Sequence, residues 1–324
     1  MRKQFIYNTF SALHVDTVWR LAHKSPSVLF YHGVSDNPDR VIETESIAAK
    51  DFVRQIKYLK KYYHVISVRE FEERFIENKW DGKEILLTFD DGYKNMLSTA
   101  LPILDKYQFP FVLFYTTNNI DSGELFATTV NRLVVLASSL KQLDLSSCQI
   151  KTTLTEQNRV IVAESISKQL KSRTLNEVKA IVAELSSLIS RDEMESLREK
   201  YSSINPMNWY EAKQISSSSL CAIGSHCVNH ICCHTNQDLE EVSRQICESK
   251  RIIENHLGMN CDYFSYPNGS FTDQSNRVVS EAGYRLGFST KRLPVNALTQ
   301  WNIPRLYVPY NYSRFVYSLV TYPS

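Results

Sequence analysis

Short apolar segments alternate with longer amphipathic ones over much of this 324-residue chain, and this alternation constrains the fold most strongly. The apolar runs have the length of buried strands, and we place predicted strands at 27–31, 64–68, 84–89 and 109–115. Helical spacing of apolar residues between them predicts helices at 51–63, 70–77 and 94–107. Strands that alternate with helices predict an α/β fold with a mostly parallel sheet, either open or closed into a barrel. The sites of such folds lie at the carboxyl ends of the strands.

The alternation is interrupted in the middle of the chain. Residues 124–205 contain neither glycine nor proline, which is typical of helices. Capping-box patterns predict three helix starts in this stretch, at Thr153 with Glu156, Thr174 with Glu177, and Ser190 with Glu193. We therefore predict an all-helical insertion. Because it follows the strand at 109–115, it emerges beside the predicted site, either as a lid or wall for substrate or as a packing element.

The alternation resumes after Pro206, with strands predicted at 222–224, 263–266 and 285–289 and a helix at 239–257. We expect four parts in the chain: an N-terminal helical segment at 1–24, the first part of the α/β unit at 25–118, the insertion at 119–205, and the second part of the α/β unit at 206–324.

Composition excludes several classes of protein. Apolar residues make up 43 % of the chain and charged residues 22 %, as in globular proteins, so general disorder is excluded. The formal net charge is +2, which gives no electrostatic reason to expect a nucleic-acid partner. No apolar run approaches the roughly 18–20 residues that a membrane span needs, so no transmembrane segment is expected.

The first 24 residues have the pattern of an amphipathic helix, in which the apolar and basic side chains are Phe5, Leu13, Trp19, Leu21, Arg20 and Lys24. Such a helix either packs on its own domain or makes a peripheral contact with a membrane. The segment lacks a clear cleavage site for a secretory signal. The chain has seven cysteines, an odd number, and Cys232 and Cys233 are adjacent. These features argue against a disulfide framework and predict a cytoplasmic location.

Three motifs carry candidate chemistry. Asp90, Asp91 and Gly92 follow the apolar strand at 84–89, where two adjacent acids are costly to bury without a cation or proton. The alternative interpretation is a turn with solvated carboxylates. The run 265–269 reads Ser-Tyr-Pro-Asn-Gly. It is either a simple turn or a turn that directs a backbone N–H at a developing oxyanion.

The remaining motif contains His226 and His230, four residues apart, which can share one helical face or converge from one tight turn. Neutral imidazoles bind Zn²⁺ well. A rival interpretation is a structural zinc site built from the nearby Cys221, Cys227, Cys232, Cys233 and His234. No two of these cysteines have the Cys-x-x-Cys spacing that such sites commonly use, and we interpret the thiols as small buried side chains.

Together, and in this order, the motifs resemble those of the polysaccharide deacetylase family, the carbohydrate esterase group with the NodB homology domain. The family's Thr-Phe-Asp-Asp-Gly stands intact at 88–92, and its His-Ser/Thr-x-x-His corresponds to 226–230, with Cys227 in the small-hydroxyl position. Its Arg-x-Pro-x-Gly corresponds to 265–269, with Ser265 in place of the arginine. The resemblance covers 25–118 and 206–310. It implies a deformed (β/α) barrel of about seven strands with the site on its rim.

The resemblance also implies a ligand set and residue roles. Asp91, His226 and His230 would hold one divalent metal, with Zn²⁺ as the first candidate and Co²⁺ or Ni²⁺ as alternatives. Asp90 would be the general base that takes a proton from the attacking water, and the N–H of Asn268 would stabilise the oxyanion. Tyr266 and Pro267 belong to the same turn and are predicted to contact substrate.

The chain departs from the commoner pattern in two ways. Its last histidine is His256, so the family's C-terminal Leu-x-x-His motif is absent. His32, at the end of the strand at 27–31, is our candidate for the general acid, with a purely structural histidine as the alternative and His234 as a weaker candidate. The arginine missing at Ser265 leaves Asp90 without its usual partner. Arg305 is our candidate for that place and for a substrate contact.

The resemblance implies metal-dependent de-N-acetylation of an N-acetylated sugar in a glycan or a glycan precursor. The expected partner is an N-acetylated glycan or lipid-linked sugar used to build a surface polysaccharide. The alternative is a catalytically impaired NodB-like protein that binds glycan without hydrolysing it. The presence of Asp90 favours hydrolysis, because a base has no use in a module that only binds.

Overall fold

The computed structural model describes residues 7, 9, 26–291 and 299–321. Its strands are β1 Ser27–Tyr31, β2 Gly33–Ser35, β3 Ser46–Ala48, β4 His64–Val65, β5 Glu84–Phe89, β6 Phe111–Tyr115, β7 Gln142–Leu145, β8 Ile150–Thr153, β9 Cys221–Ser225, β10 Tyr263–Ser265, β11 Leu286–Ser289, β12 Ile303–Pro304 and β13 Leu306–Tyr307. Its α-helices are α1 Ala49–Tyr62, α2 Val68–Glu77, α3 Leu101–Tyr107, α4 Thr117–Ser122, α5 Ala127–Arg132, α6 Arg159–Ser172, α7 Leu175–Ser187, α8 Arg191–Lys200, α9 Trp209–Ser216, α10 Leu239–Leu257, α11 Asp273–Glu281 and α12 Tyr312–Thr321.

The main sheet is a nearly closed parallel barrel. Its strands follow the order β12-β11-β10-β9-β6-β5-β1-β13, and β4 pairs with β5 off this path. Only Arg305 separates β12 from β13, yet β12 pairs with β11 and β13 pairs with β1 at the other edge. One short segment therefore joins the two edges of the sheet. The α/β barrel that the sequence predicts is confirmed, and it has about seven strands when β12 and β13 are counted as one.

The barrel strands are buried because apolar groups cover both of their faces, as in other parallel sheets. Every residue of β5 and of β6 is buried. Alternate side chains of a strand point to the same face, so Leu86 and Thr88 share one side of β5, and Asp90 follows on that side. Leu86 packs in an apolar cluster with Val68 and Phe71 of α2. The same cluster includes Val112 and Phe114 of β6 and Phe288 of β11.

The insertion packs around an apolar cluster of its own, which includes Val134, Leu145, Ile166 and Leu185. Its helices α6, α7 and α8 agree with the prediction, but β7 and β8 pair as an antiparallel hairpin that was not predicted. The capping box predicted at Thr153 is wrong, because this residue ends β8 and α6 begins only at Arg159.

Two other predicted helix starts in the insertion agree with the structure. The Thr174 side chain accepts from the N–H of Glu177, and the Glu177 side chain accepts from the N–H of Thr174, which makes the predicted capping box complete. The Ser190 side chain accepts from the N–H of Glu193 at the start of α8. The predicted amphipathic helix at 1–24 lies outside the described residues, apart from Tyr7 and Thr9. Among the helices that the structure describes, none combines the length and apolar character needed to cross a membrane.

Candidate active site

The two predicted acids lie side by side where β5 ends. The N–H of Asp90 donates to the Tyr31 carbonyl at 3.0 Å, so the backbone is still paired with β1 at this point. The chain then turns through two left-handed residues, Asp91 with φ 75° and Gly92 with φ 79°. Asp90 and Asp91 are only 3 % and 4 % exposed, so both need partners or a proton. The alternative of solvated carboxylates in a turn does not agree with this burial.

Asp90 is held by Arg305 from the segment that closes the barrel. The guanidinium donates Nη1 to Asp90 Oδ1 at 2.7 Å and Nη2 to Oδ2 at 2.6 Å, and it also donates to Thr88 Oγ1 and Ser265 Oγ. Arg305 is 1 % exposed. Burial is the largest single influence on the pKa of Asp90 and raises it, but the charge and hydrogen bonds of Arg305, together with the nearby His226 and His32, outweigh burial and hold this pKa well below its usual range. Arg305 thus occupies the place beside Asp90 for which it was a candidate, and Ser265 contacts it.

Asp91, His226 and His230 converge in the arrangement of a metal site. Asp91 Oδ1 lies 3.7 Å from His226 Nε2 and 3.5 Å from His230 Nε2. Ligand atoms about 2.1 Å from a tetrahedral Zn²⁺ are separated by about 3.4 Å, so these spacings suit one ion. Asp91 Oδ1 is buried and forms no hydrogen bond within the described part of the chain. The donor set and the unpartnered oxygen therefore fit a divalent metal.

The two histidines come from an irregular turn after β9, which is the second of the two arrangements that their spacing allowed. Cys227 and His230 have φ of 66° and 53°, and this left-handed backbone directs both rings at Asp91. His226 Nδ1 lies 2.7 Å from the Ser265 carbonyl, which fixes the ring and leaves Nε2 for a ligand. The His230 ring packs edge-on against Phe126 from the insertion.

The charges around the site favour a bound cation. Burial lowers the pKa of His226 to about 4 and that of His230 well below its usual value, so both rings are neutral near pH 7, the form that binds metals. Burial, with the nearby Asp90 and Glu45, raises the pKa of Asp91 to about 7. The Asp91 carboxylate is therefore costly to form without a cation beside it.

The third motif forms a tight turn after β10. Asn268 has φ 54°, and its N–H forms no hydrogen bond with a described residue, although the next two N–H groups donate to Tyr266 and Pro267. The Asn268 N–H is thus available to an oxyanion. A Cβ on Gly269 would lie 2.0 Å from Thr290 Oγ1, so only glycine fits there.

The predicted substrate contacts of Tyr266 and Pro267 do not come from their side chains. Tyr266 is fully buried and donates its hydroxyl to Asn276 Oδ1, and Pro267 is buried beside it. Neither lines the cleft around the motifs, whereas Asn268 and Gly269 of the same turn do. Arg305 does line the cleft, but Asp90 engages both ends of its guanidinium.

His32 lies on the cleft wall directly after β1. Its Nδ1 is 3.6 Å from Glu45 Oε2, and its side chain is 17 % exposed. Arg132 Nη1 lies 3.6 Å from the other oxygen of Glu45. Sequence reasoning missed Glu45 and Arg132, because nothing in the local pattern of either residue marks it. The weaker candidate, His234, does not line the cleft.

The cysteines do not form a structural zinc site within the described residues. There, Asp91, His226 and His230 are the one group whose donor atoms gather closely enough for a metal. Cys227, Cys232 and Cys233 are buried apolar-type residues, as predicted.

The comparisons with known proteins decide the family. The sequence profile described as "Polysaccharide deacetylase" matches residues 77–287, which include all three motifs. The chain belongs to the polysaccharide deacetylase family. The resemblance that the motifs predicted is confirmed.

One curated relative of this deacetylase-family chain is the poly-beta-1,6-N-acetyl-D-glucosamine N-deacetylase of Staphylococcus epidermidis, 29 % identical over 143 residues. The match spans 44 % of this chain and 46 % of the relative, so less than half of that protein is represented.

Solved structures share the barrel of this deacetylase-family chain. The Streptococcus pyogenes deacetylase PplD in complex with acetate aligns with a TM-score of 0.58 at 15 % identity, over 92 % of this chain and 98 % of that one. IcaB from Ammonifex degensii also aligns with a TM-score of 0.58 at 15 % identity, over 92 % of this chain and 99 % of that one. The de-N-acetylase of Aggregatibacter actinomycetemcomitans gives 0.52 at 16 % identity, over 86 % and 93 %. At these identities the likeness shows the fold.

Proposed function

We propose that this protein is a metal-dependent deacetylase that hydrolyses the acetamido group of an N-acetylated sugar in a glycan or glycan precursor. The observation that carries the proposal is the arrangement of Asp91, His226 and His230 around one point, with the ionised Asp90 beside them. His226 Nε2 is 3.9 Å from Asp90 Oδ2 and 3.7 Å from Asp91 Oδ1. A metal site next to an independent carboxylate is an arrangement that suits metal-dependent amide hydrolysis, with the carboxylate as general base.

Asp91, His226 and His230 would hold the metal, for which Zn²⁺ is the first candidate and Co²⁺ or Ni²⁺ are alternatives. Such an ion, when bound, would lower the pKa of a water molecule and polarise the amide carbonyl. The protein prepares the ligands for it, since both imidazoles are neutral and the Ser265 carbonyl fixes the His226 ring.

The other residues supply orientation and proton transfer. Asp90 is the general base: Arg305 keeps it ionised and fixes its plane, while each carboxylate oxygen retains a lone pair for an attacking water. The Asn268 N–H donates to the oxyanion that develops on the amide carbonyl. His32 gives a proton to the leaving amine, and Glu45, 3.6 Å from its Nδ1, orients its ring.

The substrate side of the proposal rests on the relatives. The curated relative is named as acting on poly-β-1,6-N-acetyl-D-glucosamine, and one structural neighbour was solved with acetate, which is the acid that deacetylation releases. We extend the proposal to an N-acetylated polysaccharide or lipid-linked precursor, made in the cytoplasm for the cell surface. The amphipathic sequence pattern of residues 1–24 suits a peripheral membrane contact.

The test is acetate release by purified protein from N-acetylated oligosaccharides and lipid-linked sugars. Wild type should release acetate, Asp90→Asn should lose at least about 100-fold of the rate because the base is gone, and Asp105→Asn on the exposed side of α3 should match wild type. Equal rates for Asp90→Asn and wild type would overturn the role of Asp90. Binding of oligosaccharide by wild type without acetate release would support the glycan-binding alternative instead.

A further inference from the structure

A cavity of about 670 Å³ lies between the insertion and the barrel rim. It joins the catalytic cleft, because Phe126, Lys171, His230 and Asn268 line both. Its insertion side carries apolar side chains and several basic ones, while its rim side ends at the proposed metal ligand His230. One path by which a glycan with a sugar in the cleft can continue therefore runs along this wall.

Most charged groups around the cleft and the cavity already have partners. Asp90 is paired with Arg305, and Glu45 faces Arg132 and His32. On the cavity wall, Arg173 pairs with Glu177, and Arg198 donates to the Gly123 carbonyl and to Asn205 Oδ1. The Glu124 carboxylate accepts from the Asn118 side chain. Each of these charged groups therefore already has a partner within the protein.

Two lysines of the wall differ from these groups. Lys171, in the last turn of α6, and Lys179, in α7, are exposed and form no ion pair with any residue in the described ranges. Lys171 lines both the cavity and the cleft, and it is near enough for its charge to lower the pKa of Glu45. A cation without an ion-pair partner among the described residues therefore lies where the cavity joins the cleft.

The reaction makes this placement informative. Deacetylation converts a neutral acetamide into an amine that is protonated near pH 7, so a basic wall repels a chain of deacetylated sugars. The same wall attracts an anionic group on the target sugar or on its neighbour. A neutral polymer can accept hydrogen bonds from these lysines but gains no charge–charge attraction from them.

We propose that the substrate is an anionic N-acetylated glycan, whose phosphate or carboxylate group beside the target sugar binds Lys171, with Lys179 as a second contact along the cavity. This inference rests on the proposed function and narrows its substrate class. Phosphate would come from a lipid-linked or sugar-phosphate precursor, and carboxylate from a uronic acid in the polymer.

The test is a ligand-observed NMR titration of the full chain at low salt with four probes. N-acetylglucosamine 1-phosphate is compared with N-acetylglucosamine, and a hyaluronan tetrasaccharide with N,N′,N″,N‴-tetraacetylchitotetraose. Wild type should bind at least one anionic probe about fivefold more tightly than its neutral counterpart, the scale of one partly exposed ion pair. The preference should fall with added salt. Preference within the first pair indicates phosphate, and preference within the second indicates carboxylate.

Lys171→Met should abolish the preference, and Lys171→Arg should retain it. Lys168→Met is the matched control, because Lys168 is exposed on the same helix and lines neither the cavity nor the cleft, and it should behave as wild type. Equal affinities in both pairs, or a preference that survives Lys171→Met, would overturn the proposal. The acetyl signals of the probes report hydrolysis in the same titration, so failure of the deacetylase activity is seen separately from failure of anion binding.

Discussion

Replacing Arg305 by Met should destabilise the protein severely, because it leaves the Asp90 carboxylate buried without its counter-charge. Both groups are nearly inaccessible, at 1 % and 3 % exposure, and two hydrogen bonds of 2.6–2.7 Å join them. Removing one partner of such a buried pair costs about 3–5 kcal/mol. We expect Asp90→Asn to be similarly costly, since it leaves the guanidinium unpaired.

The assay is urea unfolding of metal-free protein, measured for both single variants and for the double variant. The double variant leaves neither charge buried alone. Its loss of unfolding free energy should therefore be smaller than the sum of the two single-variant losses by about 2 kcal/mol or more. Arg244→Met is the control: Arg244 is 40 % exposed and pairs with Glu241 and Glu248 on the surface of α10, so we expect a loss of at most about 1 kcal/mol.

The pH dependence gives the same prediction a second readout. The folded-state pKa of Asp90 lies below its unfolded value, so the ion pair stabilises the protein fully above pH ~4 and less as the pH falls. The difference in the free energy of unfolding between wild type and Arg305→Met should therefore become smaller below pH ~4. Additive losses in the cycle, or a loss for Arg305→Met no greater than for Arg244→Met, would refute this account of the pair.

Two further predictions concern the backbone and the insertion. Gly269→Ala should lower the melting temperature more than Gly283→Ala. Both glycines have positive φ, but a Cβ at Gly269 would collide with Thr290, whereas nothing lies within 4 Å of a Cβ at Gly283. Equal shifts of the melting temperature in calorimetry would contradict the predicted clash. Hydrogen bonds from Ser147, and then from Ser146, lower the pKa of Glu184 to about 2. The contribution of the Glu184 carboxylate to the free energy of unfolding is therefore present above pH ~4.5 and lost as the pH falls towards 2. Glu184→Gln should cost at most about 1 kcal/mol near pH 7 and progressively less below pH 4 in thermal melts; a pH-independent loss would show that the charge is not responsible.

The sequence was informative where one local pattern decides both structure and chemistry. The strand β5 and the acids after it were predicted at their observed positions. The prediction was possible because consecutive residues show both features, an apolar run for the buried strand and a glycine for the turn at Gly92. The hairpin was missed although Leu143 and Leu145 are buried and alternate with exposed neighbours, since four-residue strands are too short to stand out in a helical stretch.

Contacts that depend on barrel closure were harder to predict. Arg305 lies 215 residues after Asp90, and only the pairing of β12 and β13 with opposite edges of the sheet brings the two together. It was selected through the family resemblance and not through any local pattern. Lys171 carried no signal, because an exposed lysine on an amphipathic helix is common and its position beside the cleft follows from how the insertion packs.

The central claim is that one metal ion, held by Asp91, His226 and His230, makes this protein a deacetylase. The most direct measurement is acetate release by chelator-treated protein as Zn²⁺ is added back, with bound metal counted in the same samples. The account predicts that activity rises in proportion to bound metal and ends at one ion per chain, and that His226→Ala loses both together. Full acetate release from metal-free protein, or His226→Ala that retains metal and activity, would contradict it.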